Sequence, residues 1–273
     1  MNKKDLLNKY AQQEEKFLVS KIIDKVELVE KRNKIEYTDF LNMYEQEIVV
    51  NVLKYVKFKE YILYGGNEKT ERKILIIYPN KFKGFEEIVL TDTIKESNII
   101  EIVRIVVPKN LEKGYTHKNY LGGLMKLGIK REKIGDIVVD DTGADIIVKK
   151  DISEYLIQNL GSLIRFRKSD ISIINDLEKL KKIDIKKEKI EIIVNSLRLD
   201  GIISGLLKIS RNKSIEIINQ ERVFVNFKVE DKCSKMLKIG DKITVRGKGK
   251  FELIEKLRST KNDRSVLSVE KVI

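Results

Sequence analysis

From Leu197 to Asn226 the chain reads LRLDGIISGLLKISRNKSIEIINQERVFVN, and this stretch decides how the C-terminal part folds. After Arg198-Leu199-Asp200, the apolar residues Ile202, Ile203, Leu206 and Leu207 recur at helical spacing, predicting an amphipathic helix with one cation and one anion in its first turn. Ser210 accepts well from the free N–H groups of a helix start, so a second helix is expected over Arg211 to Gln220. Arg211 then sits where those N–H groups and the helix dipole favour an anion. Val223 to Asn226 and, upstream, Ile190 to Val194 read as strands. Downstream, Ile239-Gly240-Asp241 turns into a strand, Ile243 to Val245, which runs into Arg246-Gly247-Lys248-Gly249-Lys250. Those glycines let the backbone approach a phosphate chain, and if the segment is extended its alternating cations line one side.

The charge distribution points the same way. The chain carries 55 Lys and Arg against 42 Asp and Glu, a formal +13, with a sequence pI near 9.4; such a balance favours a polyanionic partner. From Leu197 to Ile273 there are 18 Lys and Arg against 10 Asp and Glu, so most of the excess lies in the last quarter. Six of the 12 arginines, Arg198, Arg211, Arg222, Arg246, Arg258 and Arg264, lie there too. The whole chain is rich in Lys, Ile and Asn, but a lysine-rich composition does not explain an arginine cluster, and the guanidinium fork makes paired hydrogen bonds to phosphate.

Upstream, Ile99 to Ile174 predicts strand, helix, strand, strand, helix, strand: Ile99–Val107, His117–Leu127, Ile137–Asp140, Asp145–Val148, Ser153–Leu160 and Ile171–Ile174. This βαββαβ order is that of ferredoxin-like and RNA-recognition folds. The strands Ile99–Val107 and Ile137–Asp140 carry no aromatic on which a base would stack, so a scaffold or protein-docking role is expected of this unit. A strand over Lys73–Tyr78 precedes it and ends at Pro79. Before that, Leu6, Leu7, Tyr10, Ala11, Phe40, Leu41, Tyr44, Val49, Val52, Leu53 and Val56 give helical spacing from Leu6 to Tyr64, with Thr38 or Asp39 expected to cap the second long helix and Gly65-Gly66 to end the region. Asp176 to Glu191 is dense in Lys and Glu and reads as linker or a short exposed helix. The expected class is α+β in three small domains: helical 1–70, a central RNA-recognition-like domain 71–176, linker and leading strand 177–194, and an αβ RNA-binding domain 195–273.

Several classes are disfavoured. No apolar stretch approaches the ~20 residues of a membrane span, and Met1 to Tyr10 lacks the apolar core of a signal peptide, so a cytoplasmic protein is expected. One cysteine, Cys233, and one histidine, His117, make an internal disulfide impossible and a structural metal unexpected. No cofactor is expected.

Arg198-Leu199-Asp200, Ser210-Arg211, Ser214, the strand ending in Asn226, and Gly240-Asp241 before an apolar strand together resemble the S-four type of RNA-binding domain. The resemblance widens: Gly65-Gly66 before Arg72-Lys73, His117 with Leu121-Gly122-Gly123-Leu124-Met125, the run Gly128 to Ile137, and Arg246-Gly247-Lys248-Gly249 are similar to the YlmH family along nearly the whole chain. The resemblance implies a monomeric, non-catalytic binder of structured ribosomal RNA or tRNA on the large ribosomal subunit, in ribosome-associated quality control. It also implies Arg198 and Arg211 as principal phosphate contacts, with Lys208, Asn212, Lys213, Arg222, Arg246, Lys248 and Lys250 supporting. Two departures stand out. Glu221 follows the second helix where the family usually has Gly, and a left-handed cap there costs on the order of 1 kcal/mol. Phe227 follows Asn226 where S-four domains often have Gly.

Some pseudouridine synthases also carry S-four domains and hold their catalytic aspartate in an Arg-Leu-Asp motif, which makes an RNA-modifying enzyme the alternative reading. Here Arg198-Leu199-Asp200 opens the S-four pattern itself, so Asp200 is expected to pair with a cation. Lys235-Met236-Leu237-Lys238 faintly resembles a tRNA-synthetase loop but lacks a nucleotide-binding companion. His117 has no nucleophile beside it and is expected to cap or pack. Asp140-Asp141 before Thr142-Gly143 reads as hairpin chemistry, and Gly122-Gly123 as close helix packing.

Overall fold

The apolar spacing noted above builds a mixed αβ protein, seen here in a computed structural model that describes residues 6–10, 12–91, 98–111, 114–183, 187–260 and 264–272. It divides into two compact units, 1–183 and 184–273. In the first, α1 (Gln13–Arg32) buries Val19, Ile22, Ile23, Val26 and Val29, one stripe at three- and four-residue spacing. That stripe packs on Ile48, Val49, Val52 and Leu53 of α2 (Met43–Tyr55) and on Leu75 and Ile77. Acidic Glu14 and Glu15 open α1 while Lys31 and Arg32 close it, as the helix dipole favours.

Two local expectations give way here. The cap of α2 is Asn42, which accepts from Glu45 N at 2.9 Å while the Glu45 carboxylate accepts from Asn42 N at 2.6 Å. Thr38 is unavailable as a cap because its hydroxyl accepts from Leu75 N and its own N–H bonds Leu75 O. The helical reading up to Tyr64 also fails at its end: β2 (Tyr61–Tyr64) pairs with β3 (Ile74–Ile77), and β1 (Glu36–Tyr37) pairs with β3 on its other edge. Four apolar residues are too few for periodicity to separate helix from strand. A boundary at 70/71 thus falls between two paired strands.

After a short helix, α3 (Glu86–Leu90), the βαββαβ order is present as β4 (Ile100–Val106), α4 (His117–Lys126), β5 (Ile134–Asp140), β6 (Gly143–Lys149), α5 (Lys150–Leu160) and β7 (Asp170–Ile174). The sheet runs β5-β6-β4-β7 and every pair is antiparallel. On one face Val103, Ile105, Ala144, Ile146 and Val148 pack with Tyr120, Leu124, Leu156 and Leu160 of the two helices. A Cβ on Gly123 would stand 2.5 Å from the Phe166 ring, so close packing explains that glycine. The hairpin between β5 and β6 is turned by Asp140, whose carboxylate accepts from Thr142 N and Gly143 N. Gly143 sits at φ 150, where a side chain would collide with Ile105 O.

The other face of the same sheet is covered. Ile100 and Ile147 cluster with Phe40, Ile74, Ile76 and Tyr78, against which Leu177 and Leu180 also pack. Arg72 pins the cover by donating to Phe40 O and Ile134 O, both at 2.9 Å. Arg104 makes a two-pronged bond to fully buried Asp145 at 2.7 and 2.8 Å, and Lys181 N donates to the same carboxylate. Residues 177–181, expected as linker or a short exposed helix, include a turn of 3-10 helix at Leu177–Lys179 and lie on the sheet.

The second unit is a six-stranded antiparallel sheet in the order β10-β9-β11-β12-β13-β8. Its strands are β8 (Lys187–Val194), β9 (Val223–Val225), β10 (Lys228–Val229), β11 (Lys242–Val245), β12 (Gly249–Ser259) and β13 (Ser265–Val272). Two helices, α6 (Leu199–Leu207) and α7 (Arg211–Asn219), bury Leu199, Ile202, Ile203, Leu206 and Ile218 against Val223, Ile243, Leu253, Leu267 and Val269. Glu221 follows α7 at φ 54 while Arg222 N bonds Ile217 O and Glu221 N bonds Ile218 O, a Schellman ending. The helix closes in the usual way on an unusual residue. Glu221→Gly is expected to raise the unfolding free energy by about 1 kcal/mol, read by denaturant titration. Asn226 and Phe227, at φ 49 and 68, form the two-residue turn between β9 and β10, so Phe227 occupies a position that suits glycine.

Candidate nucleic-acid interface

Two helix N-termini meet at Asp200. Arg198 is the N-cap of α6, Asp200 lies in its first turn, and Ser210 caps α7 by accepting from Lys213 N at 3.3 Å. Ser214, one turn into α7, donates its hydroxyl to Asp200 O at 2.8 Å and ties the two starts together. The segment after β10 adds a strap: Lys235 O accepts from Leu199 N, Cys233 O from Asp200 N, and Leu237 N donates to Leu197 O. This is the structural work of Lys235-Met236-Leu237.

Asp200 is 1% exposed and is gripped from both sides, by Arg198 Nη2 at 2.8 Å and by Arg211 Nη2 at 2.9 Å, with Gly201 N donating at 2.7 Å. Burial by itself raises the Asp200 pKa, but the two guanidinium bonds and the Gly201 N–H outweigh it and hold the carboxyl below its ordinary range. The triad keeps one net positive charge. Its arginine side chains remain 37% and 54% exposed, and among the described residues Nη1 of Arg198 and both Nε and Nη1 of Arg211 have no acceptor. Donors without an acceptor beside two positive helix ends are the chemistry that suits an anion.

The remaining candidates separate into two groups. Lys208, Asn212 and Lys213 are exposed around the α6–α7 connection. Lys208 itself is the left-handed C-cap of α6 at φ 53. Arg222, Arg246 and Lys248 gather at the other end of α7, where Arg222 Nη2 donates to Arg246 O and Arg246 N to Arg222 O, each at 2.9 Å. Arg246 also lies over the Phe224 ring at 4.7 Å from its centroid. The nine-residue helix between the groups spans roughly 14 Å. The segment Arg246 to Lys250 is not extended, so the one-sided cation track that an extended segment would make is not formed. Residues 246–248 turn the β11–β12 hairpin, Val245 pairing with Gly249, because Gly247 and Gly249 take φ 75 and 136. Lys250 lies beyond that turn, exposed on β12.

Sequence reasoning missed the strap and the ring of Phe224. The second had a signal: Val223 and Val225 alternate inward, so Phe224 between them must face away from the core. Lys208→Gly is expected to relieve left-handed strain and raise stability by about 0.5–1 kcal/mol while weakening RNA binding. Parallel unfolding and RNA titrations would separate the two effects.

Residues 95–174 match the family model described as "Putative RNA-binding domain in YlmH". Over 266 residues, 96% of this chain and 97% of the relative, the chain is 26% identical to "Ribosome-associated protein quality control protein P2" of Bacillus subtilis (strain 168). Among solved structures, "Cell division protein ylmH from Streptococcus pneumoniae" is similar with a TM-score of 0.45 and 18% identity, over 63% of this chain and 98% of that one. No helix of the described residues is long and apolar enough to cross a membrane.

Proposed function

We propose that this chain, whose YlmH kinship rests on the domain at 95–174 and on a relative matched along nearly its whole length, is a non-catalytic RNA-binding protein of ribosome-associated quality control. Its C-terminal unit, of S-four type, grips the backbone of structured ribosomal RNA or tRNA on the large subunit, and it acts in the cytoplasm as a monomer. The observation that carries this reading is the clamp at Asp200, where two arginines are locked in place by a buried carboxylate and two helix starts converge. Preorganisation matters because each guanidinium has already lost the side-chain freedom that binding a phosphate would otherwise remove.

The same geometry speaks against the RNA-modifying alternative. Asp200 is sealed from solvent and accepts three hydrogen-bonded groups, so it is not presented to a base. A nucleophile must reach its substrate.

Purified protein is expected to co-sediment with isolated large subunits in dilute buffer and to be released as salt rises. Absence of co-sedimentation even in dilute buffer would defeat the proposal. Mass spectrometry of ribosomal RNA from cells lacking the protein is expected to show every modification in place; one missing modification, restored by the wild-type protein, would establish the enzyme instead.

A further inference from the structure

In a βαββαβ domain the open sheet face is where single-stranded RNA stacks, and here that face is shut. Ile100, Ile102 and Ile147 are each 0% exposed, and Phe40, Ile74 and Ile76 lie over the first and last of them. The arginines at the sheet and its neighbouring loop are also committed: Arg104 to Asp145, and Arg131 Nη1 to Ile134 O and Gly135 O at 2.6 and 3.1 Å. If the domain at 95–174 touches RNA, it does so elsewhere.

The turn between α5 and β7 offers what the sheet lacks. From Gly161 to Ser169 it reads GSLIRFRKS, with no acid. Arg165, Arg167 and Lys168 are exposed, and Ile164 stands 87% exposed. Neither arginine has an ion pair among the described residues; Arg165 lies over the Tyr115 ring, whose hydroxyl donates to Arg165 O at 2.8 Å. The turn is held firmly from beneath. Phe166 is 1% exposed, stacked on Tyr120 at 5.6 Å and edge-on to Tyr115 at 6.0 Å, while Phe166 N and Ser169 N bond Leu163 O and Phe166 O. A rigid base therefore lifts three cations and one bare isoleucine into solvent. Aliphatic surface flanked by cations suits a ribose or a splayed base between phosphates.

We propose that the domain at 95–174 meets RNA through the 162–168 turn and not through its sheet, with Arg165 and Arg167 on phosphates and Ile164 against sugar or base. This deepens the RNA-binding reading and rests on it. The full chain and two variants, Arg165→Gln with Arg167→Gln, and Ile164→Ser, are titrated with ribosomal RNA extracted from large subunits across a salt series. The paired arginine variant is expected to bind about tenfold more weakly at low salt, with a salt slope shallower by ~1.5, since each lost phosphate contact removes ~0.7–0.9. Ile164→Ser is expected to bind severalfold more weakly at an unchanged slope, and neither variant should melt earlier than wild type. Wild-type binding retained by both variants, slope included, overturns this inference alone. No RNA binding by the wild-type chain overturns the broader reading with it. The inference also falls if the variants lose binding to phosphatidylglycerol-containing vesicles while keeping their RNA affinity, since the turn would then be a membrane contact.

Discussion

Arg198→Ala combined with Arg211→Ala is expected to cost the C-terminal unit about 3–5 kcal/mol of stability, before any question of RNA arises. The double replacement strands an ionised carboxylate that is 1% exposed, with the Gly201 N–H as its remaining charge-stabilising donor. Loss of RNA binding in that variant would therefore confound unfolding with a lost contact. A neutral exchange avoids this: Arg198→Met, Asp200→Leu and Arg211→Met together remove both charges and their counter-ion, and are expected to stay within about 2 kcal/mol of wild type while RNA affinity falls. Acid titration supplies an independent check. Because the folded Asp200 pKa is depressed, its stabilisation is present above the unfolded carboxylate pKa and lost as pH falls through the folded value. Stability of the wild-type unit should drop below about pH 4 more steeply than that of the triple variant. Equal acid profiles would mean that the clamp does not hold the unit together.

Lys149→Met is expected to act in the opposite direction and stabilise the first unit at pH 7 by about 2 kcal/mol. The lysine is 5% exposed; its ammonium lies 3.4 Å from Thr38 O and 4.1 Å from the Tyr37 ring centroid. Burial pushes its pKa down to about 8, against the pull of Asp39 and Asp151. With the folded value below the unfolded one, folding is penalised wherever the lysine is charged, and the penalty fades as pH rises from about 8 toward 10.5. At pH 7 it amounts to roughly 3 kcal/mol, from which the lost contact with the Tyr37 ring subtracts about 1. Denaturant midpoints at pH 7 and pH 10.5 decide the matter: the advantage of Lys149→Met should shrink at the higher pH. A destabilised variant with no pH dependence would show that the ammonium is well accommodated.

Much of this architecture was legible in residue order. The two C-terminal helices and the Ser210 cap could be read because each is a local signal, an apolar stripe or a hydroxyl at a helix start; the left-handed ending at Glu221 could not, because a side chain there argues against the conformation that the structure keeps. The six central elements were visible for the same reason, through β-branched runs and helical spacing. What escaped was set by partners far along the chain. Tyr61–Tyr64 became a strand because Ile74–Ile77 offered it an edge, and Thr38 lost its capping role to Leu75. The covering of the central sheet by Phe40, Ile74 and Leu177 is likewise a long-range event with no local signature.

The candidate site shows the same division. Arg198, Arg211 and their pairing with Asp200 follow from a motif, whereas the split of the remaining cations to the two ends of α7 depended on a hairpin that glycines 247 and 249 close. Arg165 and Arg167 stand out only once Arg72, Arg104 and Arg131 are seen to be committed to carbonyls and a buried carboxylate.

Lys208, Lys213 and Lys248 have no ion pair among the described residues, so they can be removed without disturbing the fold. The full chain and its Lys208→Gly, Lys213→Ala, Lys248→Ala variant should be titrated with structured ribosomal RNA from 50 to 300 mM salt, a range over which phosphate contacts lose orders of magnitude in affinity. If the C-terminal unit grips a phosphate backbone, the variant's plot of log affinity against log salt should be shallower by ~2, with stability no lower than that of the wild type. Superimposable lines for the two proteins would contradict it.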